Sequence, residues 1–441
     1  MKRLVTILVW SAISAAFIGP GTVTTASRAG AGFGFSLLWA LVFSTVACLA
    51  LQEASARVTI ATGRPLGQVI RERFGAPPFV PWLVLGAVVL GCAAYQMGNI
   101  LGAVAGAGLR FGVPPVVLTL VVGLLAGTIL LFGSVQSVAR FLGLVVALMG
   151  LAFLACAVRM GPRLLDLLRG CVTPALPEGA GLLALGLVGT TVVPYNLFLG
   201  SGLARGQTLG EARLGLAVAI PLGGLISMAI LVTGTAVTGE FSFPALANAL
   251  SKELGGWSRT MLAFGLFAAG LSSAVTAPLA AALCVRGFRR VADAGDAPGV
   301  AGSRQDDPRW TDTAWRFRLV WGGVLAFGLI CGLMDIKPIP AIILAQALNG
   351  VILPLVAVFL WFCVNDRQLM GVQLCGPLAN GVLAVSVLLS CLLGSTGLLK
   401  AVCSAAGWTA PSEGWLLRLA GLLVLLLVWP VARALRRRRV Q

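Results

Sequence analysis

Gly19-Pro20-Gly21-Thr22 interrupts an apolar run near the start of the chain, and Val193-Pro194-Tyr195-Asn196 interrupts a second one. Proline removes a backbone donor and clashes with the preceding helical turn, and glycine adds backbone freedom, so we predict that both stretches break helices. At membrane depth, unpaired backbone groups are tolerated only where protein or a water-filled cavity covers them. The two breaks therefore predict a binding site in the middle of the membrane.

The composition places the chain in a membrane. Of its 441 residues, 58% are hydrophobic and 11% are charged, and the mean hydropathy is +0.97, which lies far outside the range of soluble domains. A membrane β-barrel would need alternating segments of roughly ten residues, whereas apolar runs here are about twice as long, as over residues 113–132. We predict an all-α polytopic membrane protein.

Apolar segments separated by polar or Pro/Gly-rich stretches predict twelve helices. Their spans are 4–33 (broken at 19–22), 36–57, 80–108, 114–133, 138–158, 182–204 (broken at 193–195), 211–236, 258–286, 316–334, 339–364, 373–396 and 414–434. Most Lys and Arg residues fall in alternate loops, with Arg159, Arg163 and Arg169 as the main exception. This bias predicts that both termini are cytoplasmic, in a bacterial inner membrane.

Several functional classes are excluded or unsupported. The net charge of +17 would suggest a nucleic-acid partner in a soluble protein, but here the basic residues orient helices in the lipid bilayer, as does the arginine run 436–439. No phosphate-cradling glycine motif, metal-ligand cysteine spacing or activated nucleophile is present, so we expect no cofactor, no resident metal and no enzyme. The basic start of the chain resembles a signal peptide, but we interpret it as a retained first helix. The polar loop 287–315 is expected to be flexible.

The two breaks lie five helices apart, an odd spacing that gives them opposite orientations. This pattern is typical of a five-plus-five inverted repeat, although two prolines placed by chance could mimic it. The predicted units are residues 1–158 (helices one to five), 182–364 (helices six to ten), 373–434 (two additional helices) and a basic cytoplasmic tail at 435–441.

The sequence around both breaks resembles the Nramp family of metal transporters. The first match runs from Gly19 to Phe35 and on to Gln52, Ala56-Arg57 and Thr62-Gly63, and the second is Gly189-Thr190-Thr191-Val192-Val193-Pro194-Tyr195-Asn196. Weaker matches are 268–276, Ala345-Gln346 and Leu353-Pro354. The resemblance implies the LeuT-type fold and alternating access.

The departures from the family pattern concern the substrate. Family members carry aspartate and asparagine where this chain has Gly19 and Thr22, and methionine and histidine where it has Val193 and Tyr195; the chain contains no histidine. A neutral site of this kind should hold a dication poorly, whereas the N-termini of the two half-helices, near Thr22 and Tyr195, favour an anion. We therefore expect a small anion, such as bicarbonate or a small carboxylate, as the substrate.

The candidate residues follow from these two motifs and from polar side chains elsewhere in apolar helices. The substrate-binding candidates are Gly19, Pro20, Gly21, Thr22, Thr190, Thr191, Pro194, Tyr195, Asn196 and Gln346. The pathway candidates are Arg28, Glu53, Tyr95, Gln96, Asn99, Ser272 and Asn349. Arg28 could equally face a loop, and the helix-three cluster of Tyr95, Gln96 and Asn99 could serve inter-helix hydrogen bonding instead.

Two alternatives to an anion transporter stay open. One is a transporter of a divalent metal, such as magnesium carried partly hydrated, or manganese or iron. The other is a membrane receptor that keeps the fold without transporting. The sequence indicates neither the coupling ion nor the oligomeric state, and a monomer is compatible with it.

Overall fold

The structure, a computed structural model, describes residues 10, 18–75, 79–132, 135–288, 314–334, 336–405, 412, 414–422 and 433. The helices before the second break are α1 Pro20–Phe33, α2 Leu38–Thr62, α3 Leu66–Phe74, α4 Phe79–Gly108, α5 Pro115–Phe132, α6 Val135–Arg159, α7 Leu164–Val172 and α8 Gly181–Thr191. Those after it are α9 Pro194–Leu203, α10 Leu209–Gly234, α11 Phe243–Leu254, α12 Trp257–Gly287, α13 Trp315–Leu333, α14 Pro338–Val364, α15 Arg367–Met370 and α16 Pro377–Ala405.

The described residues form an all-α membrane protein, as predicted. Ten spans among them are long and apolar enough to cross a membrane. The first predicted helix is described from its break onward, and residues 414–422 of the twelfth are helical. The first half of helix one apart from Trp10, most of the loop 287–315 and the basic tail lie outside the described residues. The ten cysteines are free, and most of them are buried.

Both breaks lie slightly upstream of their predicted positions. Pro20 and Pro194 are the first helical residues of α1 and α9, and the non-helical residues are Ile18 and Gly19 in one case and Val192 and Val193 in the other. Proline suits the first helical position because its missing N–H would be unpaired there and its fixed φ is already helical. In this chain each proline therefore begins a half-helix.

Small residues allow the broken helices to pack closely. A Cβ on Gly30 of α1 would lie 2.0 Å from the Leu231 carbonyl oxygen of α10, and a Cβ on Gly102 of α4 would lie 2.1 Å from Pro20 Cβ. At these contacts only glycine allows the backbones to approach, as is common between membrane helices. α1 is held in this way between α10 and α4.

The remaining long helices surround the two breaks. α12 lies along α4, α14 packs against both α8 and α4, and α16 covers the other side of α14. Helices α5 and α6 carry exposed leucines such as Leu124 and Leu144, which suits a lipid-facing position. The core therefore lies between α1, α4, α8, α9, α12 and α14, where the two breaks meet.

Hydrogen bonds and ion pairs join one end of the bundle. We call this end the inner face, following the predicted orientation; it comprises the connections at residues 62–66, 203–209 and 364–377. Thr59 Oγ1 lies 2.7 Å from Ser201 Oγ, and Arg73 Nε of α3 donates to Asp366 Oδ2 at 2.7 Å. These contacts place the three connections side by side.

Candidate substrate site

The two breaks are in direct contact, through the start of α1 and the end of α8. Thr22, in the first turn of α1, and Thr190, in the last turn of α8, place their hydroxyl oxygens 2.8 Å apart although 168 residues separate them. Both threonines are fully buried. The predicted juxtaposition of the two broken helices is thus present, and it is made by side chains from the two motifs.

Gln346 of α14 closes one side of this junction. A Cβ on Gly21 would lie 2.2 Å from Gln346 Nε2, and a Cβ on Gly189 of α8 would lie 2.0 Å from the Gln346 carbonyl oxygen. Gln346 is buried. Glycine at 21 and 189 is therefore what admits the Gln346 amide and its backbone between α1 and α8.

Tyr95 and Ser273 lie on another side of the junction. A Cβ on Gly19 would lie 3.3 Å from Tyr95 Oη and 3.6 Å from Ser273 Oγ. The rings of Tyr95 and Tyr195 meet edge to face, with centroids 5.6 Å apart. The structure thus brings Tyr95 to the breaks, and of the two adjacent serines on α12 it is Ser273, rather than Ser272, that reaches Gly19.

Asn196 is buried beside Tyr195, and α2 holds its backbone. Gln52 Nε2 donates to the Asn196 carbonyl oxygen at 3.1 Å, and Ser55 Oγ donates to the Leu197 carbonyl oxygen at 2.6 Å. Sequence reasoning missed this role of α2. The detectable signal is the spacing of polar residues at 52, 55 and 59, which places them on one helical face.

Among the buried side-chain amides of the described helices, more oxygens than nitrogens lack a hydrogen-bond partner. Gln52, Gln96 and Asn349 each donate their amide nitrogen to a backbone carbonyl, that of Asn196, Ala274 or Ala345 respectively. Their oxygens have no hydrogen-bond partner, and neither do Gln346 Oε1 and Asn196 Oδ1, whereas only Asn99 and Asn196 leave an amide nitrogen unpaired among the described residues. Because an unpaired buried acceptor is costly, these oxygens favour a ligand that is a cation or a hydrogen-bond donor.

The half-helix N-termini offer few donors to an anion. Pro20 and Pro194 have no N–H, and the Asn196 and Val23 N–H groups are already bonded to the carbonyl oxygens of Val193 and Gly19. This removes donors on which the predicted anion site depended.

Three further candidates lie away from the junction or are already engaged. Arg28 sits two turns along α1 and is partly exposed. Thr191 Oγ1 donates to the Leu187 carbonyl oxygen of its own helix at 3.0 Å. Glu53 pairs with Arg57 and Arg213 at the inner face. The structure gives Glu53 two ion-pair partners, and its place in the pathway stays a prediction.

The oxygens that could hold a metal ion here are neutral. The described part of the chain contains no group of three or more His, Cys, Asp and Glu side chains that could hold a metal ion. What the junction offers is the Gln346 amide, whose nitrogen is the atom nearest Gly21, and the hydroxyls of Thr22, Thr190 and Tyr95. Asn349 lies one turn along α14, with its amide oxygen near Gly91 of α4. Such ligands suit a hard cation that keeps part of its water.

Comparison with known proteins identifies the family. The sequence model of the Nramp family, described as natural resistance-associated macrophage protein-like, matches residues 11–400. The chain is 30% identical over 296 residues to the divalent metal cation transporter MntH of Yersinia pestis (strain Pestoides F), which covers 62% of this chain and 71% of that protein. It is 27% identical over 385 residues to MntH of Verminephrobacter eiseniae, with 81% of each chain covered.

Solved structures agree on the fold. A crystal structure of the Eremococcus coleocola manganese transporter in complex with an aromatic bis-isothiourea substituted compound superposes with a TM-score of 0.70 at 17% identity, covering 99% of this chain and 94% of that one. A nucleobase-cation-symport-1 family transporter in a closed conformation superposes at 0.55 and 13% identity, covering 97% and 92%. The fold is the LeuT-type fold that the sequence predicted, and the chain belongs to the Nramp family of membrane transporters.

Proposed function

We propose that this protein carries divalent metal cations across the membrane by alternating access, and that the ion keeps part of its hydration shell in the site. Its relatives in the comparison are named as divalent metal cation transporters, and a structural neighbour is a manganese transporter. The observation that carries the proposal is the surplus of buried amide oxygens without a hydrogen-bond partner in the described helices around the two breaks, among them Gln346 Oε1, whose amide lies beside Gly21.

Magnesium fits these ligands better than manganese or iron. Transition metals gain from thiolate, thioether or imidazole ligands, and this junction offers amide and hydroxyl oxygens. Magnesium gives up its water reluctantly and is usually bound through several of its own waters. Neutral oxygens that accept hydrogen bonds from those waters can therefore hold it without a carboxylate.

The comparisons do not support the anion that the sequence analysis favoured. That expectation rested on the loss of charged family residues and on the dipoles of the half-helices. It did not include the hydrogen-bond pairing of the buried amides, which leaves more oxygens than nitrogens without a partner among the described residues. Bicarbonate accordingly becomes an outcome that the transport test must exclude.

The test is uptake by the purified full-length protein in liposomes. We expect saturable uptake of magnesium, weaker uptake of manganese and none of bicarbonate. Gln346→Leu removes the amide oxygen at the junction and should raise the KM for magnesium at least about tenfold, the equivalent of about 1.4 kcal/mol. Gln68→Leu, on α3 at the inner face, makes the same chemical change away from the junction and should leave the KM unchanged.

Two results would contradict the proposal. Saturable bicarbonate uptake without divalent-cation uptake would restore the anion interpretation. No flux of any of these ions by folded protein, together with a stable protein partner, would instead favour the receptor alternative.

A further inference from the structure

Residue 19 has no side chain, and two hydroxyl groups from other helices occupy the space beside it. Tyr95 comes from α4 and Ser273 from α12, and their hydroxyl oxygens both lie beside Gly19. A Cβ on Gly19 would lie 3.3 Å from the first oxygen and 3.6 Å from the second. The backbone just before α1 therefore faces a pair of neutral oxygens.

Tyr95 also contacts the second break. Its ring meets that of Tyr195, the second residue of α9, at an interplanar angle of 69°. Both rings are buried, Tyr95 completely. A single side chain on α4 thus contacts residues at both half-helix starts, and its ring packing fixes where its hydroxyl points.

We propose that Tyr95 determines which divalent cation the site accepts, because its hydroxyl, supported by Ser273, accepts a hydrogen bond from a water molecule of the ion's hydration shell. This inference rests on the proposed function. A phenol is neutral at physiological pH and cannot replace the shell of a dication as a carboxylate can. It can hold a polarised water, and that contact selects an ion that retains its water, such as magnesium, over one that sheds it more readily.

The first test is the hydroxyl deletion Tyr95→Phe, which keeps the ring against Tyr195. In liposomes containing the full-length protein, the KM for magnesium should rise about tenfold, since a hydrogen bond to a charge-polarised group contributes about 1.5 kcal/mol. The KM for manganese should change little, so the preference for magnesium falls by about the same factor. The maximal rate should stay the same. Ser390→Ala removes a buried hydroxyl from α16, far from Gly19, and should change neither KM.

The second test is a double-mutant cycle with Gly19→Ala. At 3.3 Å the added Cβ is tighter than an ordinary contact with Tyr95 Oη, so the hydroxyl must shift by a few tenths of an ångström. Gly19→Ala alone should therefore raise the KM for magnesium. In the Tyr95→Phe background the hydroxyl is gone, and the same substitution should have no further effect.

The outcomes separate this inference from the proposed function. If the wild-type protein takes up no divalent cation, the proposed function is wrong and Tyr95 has no such role. If wild-type uptake is saturable and Tyr95→Phe keeps the wild-type ratio of magnesium to manganese KM, the inference about Tyr95 alone is overturned. Additive effects in the cycle would also overturn it. If Tyr95→Phe elutes as an aggregate, Ser273→Ala removes the supporting hydroxyl and should shift the same ratio in the same direction.

Discussion

Glu53 joins three parts of the inner face, and neutralising it should loosen all of them. Its carboxylate pairs with Arg57 on α2, whose Nε donates at 3.2 Å, and with Arg213 on α10 at 2.9 Å. Arg57 also donates to the Gln373 carbonyl oxygen at 3.0 Å, before α16 begins. We expect Glu53→Gln to lower the free energy that holds α2, α10 and the turn at Gln373 together.

The burial of each partner sets the size of the effect. The Arg213 side chain is 53% exposed, so its pair contributes about 0.5 kcal/mol at most. The Arg57 side chain is 5% exposed, and losing the Glu53 carboxylate leaves the nearly buried Arg57 charge with carbonyl partners only. Breaking such a pair costs about 3 kcal/mol or more, and we take about 2–3 kcal/mol because the carbonyls remain. The sum, about 3 kcal/mol, corresponds to a roughly 100-fold shift toward opening.

Hydrogen exchange measured by mass spectrometry follows that shift, because local opening sets the exchange rate of backbone amides. In Glu53→Gln, amides at the inner end of α10, residues 209–216, should exchange up to about 100-fold faster than in the wild type. The matched control is Glu72→Gln, whose carboxylate pairs with the half-exposed Arg64 and should matter by less than about 0.5 kcal/mol. Equal exchange in the two variants would refute the reasoning from burial.

Two further substitutions test the packing around the breaks. Gly189→Ala places a Cβ 2.0 Å from the Gln346 carbonyl oxygen and 2.5 Å from Gly350 N, so α8 and α14 must separate; we expect a loss of about 2 kcal/mol or more of stability, seen as a lower melting temperature in detergent. The control Gly202→Ala, in α9 with open space around it, should be neutral or slightly stabilising. A neutral Gly189→Ala would contradict the close approach. Trp10→Phe removes the Nε1–H that donates to Gln207 Oε1 at 3.0 Å, so the exchange rate of backbone amides near Gln207 should rise about fivefold. Gln207→Leu removes the acceptor of the same bond and should have the same effect. A double variant with the summed effect would show that the two side chains act independently.

The helices were largely predictable because the long apolar runs in the described part of the chain form helices of membrane length. The breaks were located within one or two residues, and the error has one cause: we placed Pro20 and Pro194 inside the interruptions, whereas each is the first residue of a half-helix. The short helices α3, α7 and α11 were missed. They have 9, 9 and 12 residues, and a search for runs of membrane length does not detect them.

The residues that meet at the site were predictable, but the charge of the ion that we propose it binds was not. Thr22, Thr190 and Gln346 were named from the motifs and do meet. The proposed preference for a cation rests on which buried amide oxygens have no hydrogen-bond partner. That pairing depends on backbone carbonyls of distant residues, as when Gln96 donates to Ala274, 178 residues away. Residue type alone cannot provide it, and counting charges and helix dipoles led to the anion.

The hydrogen bonds near the inner face hold α2 against α9 more firmly than they hold Trp10 against Gln207. α2 holds α9 through Gln52, Ser55 and Thr59, three buried bonds that together contribute about 3 kcal/mol. Trp10 is held by one such bond, to Gln207 in the connection after α9, and by contact of its ring with Gly215 of α10. We therefore expect Trp10 to separate from Gln207 at a lower cost than α2 separates from α9.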